Sequence, residues 1–341
     1  MKAAKGITAA VISAAAVFGV IILGIAVGSV FVSPAQIIRI FGNMLFGTSL
    51  DGVKESNVSI IRDIRLPRVL LSFVTGAALS VCGATVQSVL RNPLASPFTL
   101  GVSSGASLGA GIVIACEMTL LGSFTLPAAG LVFGIASMFL MIAFSAKIDR
   151  SLQGSTIVLT GMVLSLFING IVTLLANAKD EKYKQIMKWQ MGSFSGKKWD
   201  YAVMLAVIFA VCFVFMLIKS RELDMLTFGD EQARSAGLDT KTAKVLLLIA
   251  AAVLSGASVA FAGVIGFVDL IAPHIARRIF GAKHKILLPM SAVIGGVFMV
   301  LCDIIARTVL SPNELPVGVV TSLIGAPFFA WVFLQRRNSR Y

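Results

Sequence analysis

Ten apolar runs, each of a length that crosses a bilayer or nearly does, leave this chain little choice of fold. A helix needs about 20 mostly apolar residues to span a hydrocarbon core. The runs fall at residues 7–31, 66–88, 99–116, 121–144, 155–177, 201–218, 243–263, 266–280, 286–306 and 316–335. The eighth is short enough that it need not cross fully. Composition agrees: 57% of the 341 residues are hydrophobic and only 13% are charged, against about a quarter charged in soluble domains. The expected class is therefore all-α, a polytopic membrane protein with about ten transmembrane helices in a single domain over 1–341. The first run is longer than a signal-peptide core and lacks a clear cleavage site, so it is read as a span. Cys82, Cys116, Cys212 and Cys302 are scattered singly in or against apolar runs, without metal-ligand or redox spacing.

A net charge of +13 raises the question of nucleic acid. The basic residues lie between apolar runs, as in membrane loops, so no nucleic-acid partner is expected. An even number of spans puts both termini on one face. If that face is cytoplasmic, the inner segments hold 17 of the 29 Lys and Arg residues, as the positive-inside rule requires. The other 12 lie in 32–65 with the adjoining Arg68, in 178–200, and at Arg307. The outer face is thus more basic than topology asks. A short helix along that face is expected within 178–200, with Trp189 and Trp199 near the headgroups. Gly101, Gly105 and Gly109 follow a small-xxx-small register suited to close helix packing.

The strongest polar break is LDMLTFGDEQARSAGL, residues 223–238. It is too polar to cross a membrane and too short to be a domain. Asp230, Glu231 and Arg234 have helical spacing, Gly237 stands where a short helix would stop, and Asp239 or Thr240 can cap the next helix. The segment reads either as a solvated loop or as a docking knob for a cytoplasmic partner.

Several chemistries are missing. Gly-Lys occurs only at Gly196-Lys197, outside any G-x-x-x-x-G-K-[ST] loop, so ATP is not bound by that device. His274 and His284 are the only histidines and lack metalloprotease spacing. Glu117, Asp269 and Asp303 are the acidic residues in or against the runs, all near run ends, which disfavours an ion-coupled carrier. No catalytic residue and no metal site is assigned.

Five segments in order resemble one family, the permease subunits of type II ABC importers for iron-siderophore, haem and vitamin B12 uptake. They are RLPRVLLSFVTGAALSVCGATVQSVLRNPLASPFTLGVSSGA (65–106), WQMGSFSG (189–196), FGDEQARSAGL (228–238), GFVDLIAPHIAR (266–277) and LCDIIARTVLSPNELPVGVVTSLIGAPFFAWVFL (301–334). The resemblance runs over about 10–335. It implies ten spans per subunit, a second permease subunit, identical or not, two cytoplasmic ATPase subunits and an extracellular or periplasmic binding protein. ATP and Mg would be bound by the ATPases, and no cofactor by this chain.

The resemblance also implies residue roles. Within 223–240, Phe228, Gly229, Asp230, Glu231, Gln232, Arg234 and Gly237 would form the ATPase-coupling knob. Asn92 and Leu94, with Ser155, would form a cytoplasmic gate, although Asn92-Pro93 is also an ordinary capped turn. Arg65, Arg68 and Arg307 would dock acidic residues of the binding protein through exposed pairs, with snorkelling to headgroups as the bland alternative. Thr160, Ser165, Asn169 and Thr173 give the fifth run a mildly polar face. It is assigned to the pathway wall, although these groups can equally bond helix carbonyls. Asp269 replaces the family's usual small residue and is expected to pair with a basic neighbour or to tune the outer pathway; His274 is read as a packing or hydrogen-bonding residue. The expected function is the permease of an iron(III)-siderophore importer in a bacterial cell membrane. Vitamin B12 or haem is the alternative within the family, and a stand-alone secondary carrier or channel the alternative outside it.

Overall fold

The computed structural model describes residues 2–28, 32–177 and 180–338. The end of the first apolar run at 29–31, the start of the outer segment at 178–179, and Arg340 lie outside the described residues. The ten runs become helices α1 (Lys2–Ala26), α4 (Leu66–Val89), α5 (Val102–Ala115), α6 (Thr125–Ile148), α7 (Gly154–Ala176), α9 (Trp199–Ile218), α12 (Thr240–Ala262), α13 (Val268–Phe280), α14 (His284–Thr308) and α15 (Val317–Asn338). Between them lie α2 (Pro34–Phe46), α3 (Glu55–Ser59), α8 (Asp180–Gln190), α10 (Ser220–Thr227) and α11 (Asp230–Ser235). Among the described residues six helices are long and apolar enough to cross a bilayer, and α1, α5 and α15 carry shorter apolar stretches. With 13 residues, α13 is about 20 Å long, short of the ~30 Å core.

Local chemistry sets several boundaries. Before α2, Ser33 accepts from the Gln36 amide, Pro34 opens the helix, and Gly47 ends it at φ 67°, a left-handed stop that glycine adopts at no steric cost. α3 runs into α4 through a π-helical turn at Ile60–Arg65, a motif that inserts an extra residue into a helix. Asp239 is the N-cap of α12 and accepts from the amides of Lys241 and Thr242. The expected outer-surface helix is α8, whose Ile186 is buried with Ile168, Val172 and Ala176 of α7. Trp189 and Trp199 are both half-buried against protein, and Trp199 Nε1 donates to the Arg62 carbonyl at 2.9 Å.

The core is built around α4, buried along nearly its whole length. Lipid gives helices no hydrophobic reason to associate, so close van der Waals packing of small residues must do it. A Cβ on Gly76 would stand 2.2 Å from the Gly295 carbonyl oxygen of α14, and one on Gly83 would stand 1.9 Å from the Asp269 carbonyl oxygen of α13. Gly105 and Gly109 pack the same way on α6, 2.5 Å from the carbonyls of Phe133 and Ala129 by the same measure. Gly101 leaves the expected register: it caps α5 at φ 90°. By contrast α7 and α9 are only 22% buried over their most apolar windows and present residues such as Leu166, Phe167 and Val211 outward, surface suited to lipid or to another subunit.

Two outcomes follow. Gly83→Ala should destabilise the detergent-solubilised protein by about 1–3 kcal/mol, because α4 and α13 must part. Gly170→Ala, with nothing within 4 Å of its Cβ position, should be neutral or slightly stabilising; thermal unfolding of both variants distinguishes them. The second concerns pH. The Thr242 hydroxyl and amide hold the Asp239 carboxyl below its ordinary value. A depressed folded pKa gives stability that is complete above the unfolded value of about 3.9 and lost as pH falls through the folded one. Amides in the first turn of α12 should therefore stay protected from exchange down to about pH 4 and lose protection below it.

Candidate functional site

At one end of the bundle the polar break forms a compact knob. Phe228 is 76% exposed, and Gly229 turns at φ 120° to start α11. Gly237 sits at φ 87°, where its amide and that of Leu238 bond back to Arg234 and Ala233 at 2.8 and 3.0 Å, closing the helix as the spacing implied. The knob is fastened from beneath. Lys244 Nζ, on α12, is buried and donates to Asp230 Oδ2 at 2.6 Å and to the Leu152 carbonyl at 3.1 Å. Arg234 Nε donates to Thr240 Oγ1 at 3.0 Å. Asp230 and Arg234 were expected as outward contacts; both already hold partners inside the chain. Phe228, Glu231 and Gln232 are exposed.

The knob shares a cavity of about 760 Å³ with Arg91 and with Ser155 at the start of α7. After α4 the chain turns at Arg91, φ 50°. Asn92 Oδ1 then accepts from the Leu94 amide at 2.9 Å, the capped turn that the sequence allowed. Leu94 is 45% exposed. Beyond it the loop dips inward: Ser96 and Pro97 are buried, and the Ser96 hydroxyl donates to the carboxylate of Asp269. Of the two roles expected for Asp269, pairing with a base is not what this contact gives: at the N-terminus of α13 its carboxylate meets the Ser96 hydroxyl of the loop after α4. The Asp269 carbonyl accepts from Gln87 Nε2 at 3.1 Å. His274 is half-buried on α13.

Deeper in the bundle lies a cavity of about 420 Å³. Ser165, Asn169 and Thr173 of α7 line it, and Ser103, Ser104 and Ser107 of α5 face them. The run SSGAS carried a signal for this wall, two adjacent hydroxyls and a third one turn further on, in a helix otherwise built of apolar residues. Thr160 does not reach this cavity; its hydroxyl donates to the Thr156 carbonyl at 2.8 Å. Ser165 and Thr173 likewise donate to helix carbonyls, at 2.8 and 2.9 Å, so their oxygens remain as acceptors. No charged side chain is among those lining the cavity.

At the opposite end the arginines are not exposed. Arg65, Arg68 and Arg307 are 5–6% accessible. The Arg68 guanidinium forks onto Asp303 at 2.9–3.1 Å and onto Glu314 at 2.8 and 3.1 Å. Arg65 donates to the carbonyls of Ile25 and Ala26 at 2.8 and 3.1 Å, and Arg307 to that of Gly24 at 2.5 Å. These are the last carbonyls of α1, which need donors from elsewhere, and a guanidinium is the multidentate donor for them. The expectation of exposed docking pairs is corrected on this point.

Apolar helices bundled around α4 with a polar knob at one end are the architecture of a membrane permease of an ABC importer. The chain belongs to the FecCD transport family, whose model matches residues 15–335. It is 39% identical over 323 residues to the uncharacterized ABC transporter permease protein YvrB of Bacillus subtilis, covering 94% of this chain and 92% of that one. It is 36% identical to the hemin transport system permease protein HmuU of Yersinia pestis, over 82% and 84% of the two chains. A solved structure described as an inward-facing conformation of a putative metal-chelate type ABC transporter superposes with a TM-score of 0.83 at 29% identity, over 95% and 97% of the chains. Other relatives are named for cobalamin, ferric citrate and ferric hydroxamate.

The Lys244 contacts are testable apart from transport. Lys244→Ala removes one partner of a buried pair and should cost about 3 kcal/mol. Lys244→Ala with Asp230→Ala should recover part of that loss in the same thermal measurement, since no unpaired carboxylate then remains.

Proposed function

We propose that this chain is the permease of an importer for an iron(III)-siderophore complex, working by alternating access in a bacterial cell membrane with both termini cytoplasmic. The observation that carries the mechanism is the shared cavity in which the knob residues Phe228, Glu231 and Gln232 stand beside Arg91 and Ser155. A shift of the knob necessarily reshapes the mouth formed by the loop after α4. Two ATPase subunits, binding ATP and Mg, would seat that knob, and a second permease subunit would bring its own Asn92 and Leu94 opposite these. Relatives named for ferric chelates, together with the uncharged hydroxyl-lined cavity, support an iron chelate; relatives named for hemin and cobalamin keep those as the second reading. Reconstitution with the neighbouring ATPase and binding protein, followed by ATP-dependent uptake of ferric siderophore, haem and cobalamin, tests the reading. Uptake of either of the latter in preference to ferric siderophore overturns the cargo assignment.

Docking of an extracellular or periplasmic binding protein is placed at the Arg65, Arg68 and Arg307 end. Of their partners, Glu314 is the exchangeable one: its side chain is 34% exposed, whereas that of Asp303 is fully buried. A carboxylate of the binding protein would take the place of Glu314 on Arg68, with Asp303 holding the guanidinium in position. Glu314→Gln should then tighten docking by about two- to five-fold at low salt, an effect that fades as salt screens it. Unchanged affinity in a pull-down titration places docking elsewhere.

A further inference from the structure

Below the knob, three residues far apart in sequence form one hydrogen-bonded chain. Asp224 on α10 accepts both the backbone amide and the Nδ1 of His284, at 3.0 and 2.6 Å, through a single oxygen. The other ring nitrogen of His284, Nε2, lies 2.6 Å from the Ser88 hydroxyl. Asp224 is thus the side-chain cap of α14, supplied by another helix. His284 is 1% accessible and Ser88 4%, so their contact is shielded from bulk water, whereas the Asp224 side chain is 37% exposed. The order carboxylate, imidazole, hydroxyl is that of a hydrolase triad. Here, however, Ser88 sits in the last full turn of α4, where the amides are engaged in the helix and none is free to hold an oxyanion. With Nδ1–H donated to Asp224, Nε2 of the neutral imidazole is an acceptor for the Ser88 hydroxyl, whose other acceptor within reach is the Ala84 carbonyl at 2.9 Å.

We propose that the Asp224–His284–Ser88 chain is the tie through which movement of the knob reaches the end of α4, with His284 as the positioning residue; this rests on the importer reading above. Three observations converge on it. α10 and α11 are joined by Phe228 and Gly229 alone, so Asp224 is one short link from the knob. Ser88 lies three residues before Arg91 and four before Asn92, at the root of the loop assigned to the gate. A cavity of about 340 Å³ lined by Ser88, Asn92, Pro93, Thr227 and His284 opens beside the chain and leaves that root room to move. The Lys244 contact serves a different arm, from Asp230 to the Leu152 carbonyl ahead of α7. The knob is thereby connected separately to the two segments, α4 and α7, that carry the gate residues.

The experiment uses the assembled transporter, permease with its ATPases, in proteoliposomes with the binding protein outside. It compares wild type with His284→Ala, Ser88→Ala and the double variant, reading cargo moved per ATP hydrolysed. The expected result is an assembled complex that still hydrolyses ATP but moves at least five-fold less cargo per ATP in each single variant. The double variant should be no worse than His284→Ala, because one broken link already opens the chain. Unchanged stoichiometry in Ser88→Ala, or losses that multiply in the double variant, overturns the proposal. Ser88→Ala deletes one oxygen from a helix and so decides the matter even if His284→Ala fails to assemble. Absence of ATP-dependent uptake by the wild-type complex would instead overturn the importer reading itself.

Discussion

The close approach of helix backbones around α4 is the constraint on which the other features rest. In hydrocarbon, apolar side chains gain nothing by leaving lipid for one another, so cohesion must come from contacts too close to admit a Cβ. Gly76 against Gly295 fixes α14, and Gly83 against the Asp269 carbonyl fixes α13. With those backbones in place, Gln87 reaches Asp269, Ser88 reaches His284, and Arg68 reaches Asp303. Each polar contact requires a register between helices that the glycines set. None of these pairs is near in sequence, and a shift of a single helical turn, about 5.4 Å, would separate all of them.

This explains which features were legible in the sequence. The apolar runs, the Gly237 stop and the Asp239 cap are local, governed by periodicity and turn chemistry within a few residues, and they reappear nearly at the expected boundaries. The polar face of Ser165, Asn169 and Thr173 is local as well. Ser103, Ser104 and Ser107 were not singled out, because small polar residues in a small-residue helix read first as packing. The arginines went astray for a longer-range reason. Arg65 and Arg307 look like excess outer-face charge until α1 is brought alongside, ending in carbonyls without helical partners. Likewise His284, between Lys283 and Lys285, has nothing in its local sequence to mark it until α10 supplies Asp224 and α4 supplies Ser88.

The distribution of charge along the bundle carries a functional consequence. Paired and capped ionic groups gather at the two ends: Arg68, Asp303 and Glu314 at one, Asp224, His284, Asp230 and Lys244 at the other. The cavity between them is lined by hydroxyls, amides and apolar groups. Under the proposed function, a wall of this kind would give a bulky cargo many weak contacts and no deep well, which suits passage, since a strongly bound cargo would have to be released again at every turnover. Selectivity and energy would then enter at the ends, where the charged groups lie. The ends differ in how they are built. At the arginine end the movable partner is Glu314, half-exposed on a loop, so another carboxylate can replace it without disturbing a helix. At the knob end the ties run through the buried His284 and Lys244 into α4 and into the loop ahead of α7. The first arrangement suits a partner that comes and goes, the second a motion that must be delivered undiminished into the bundle. A chain with one exchangeable end and one fastened end has a built-in direction, and that asymmetry follows from where its carboxylates are buried.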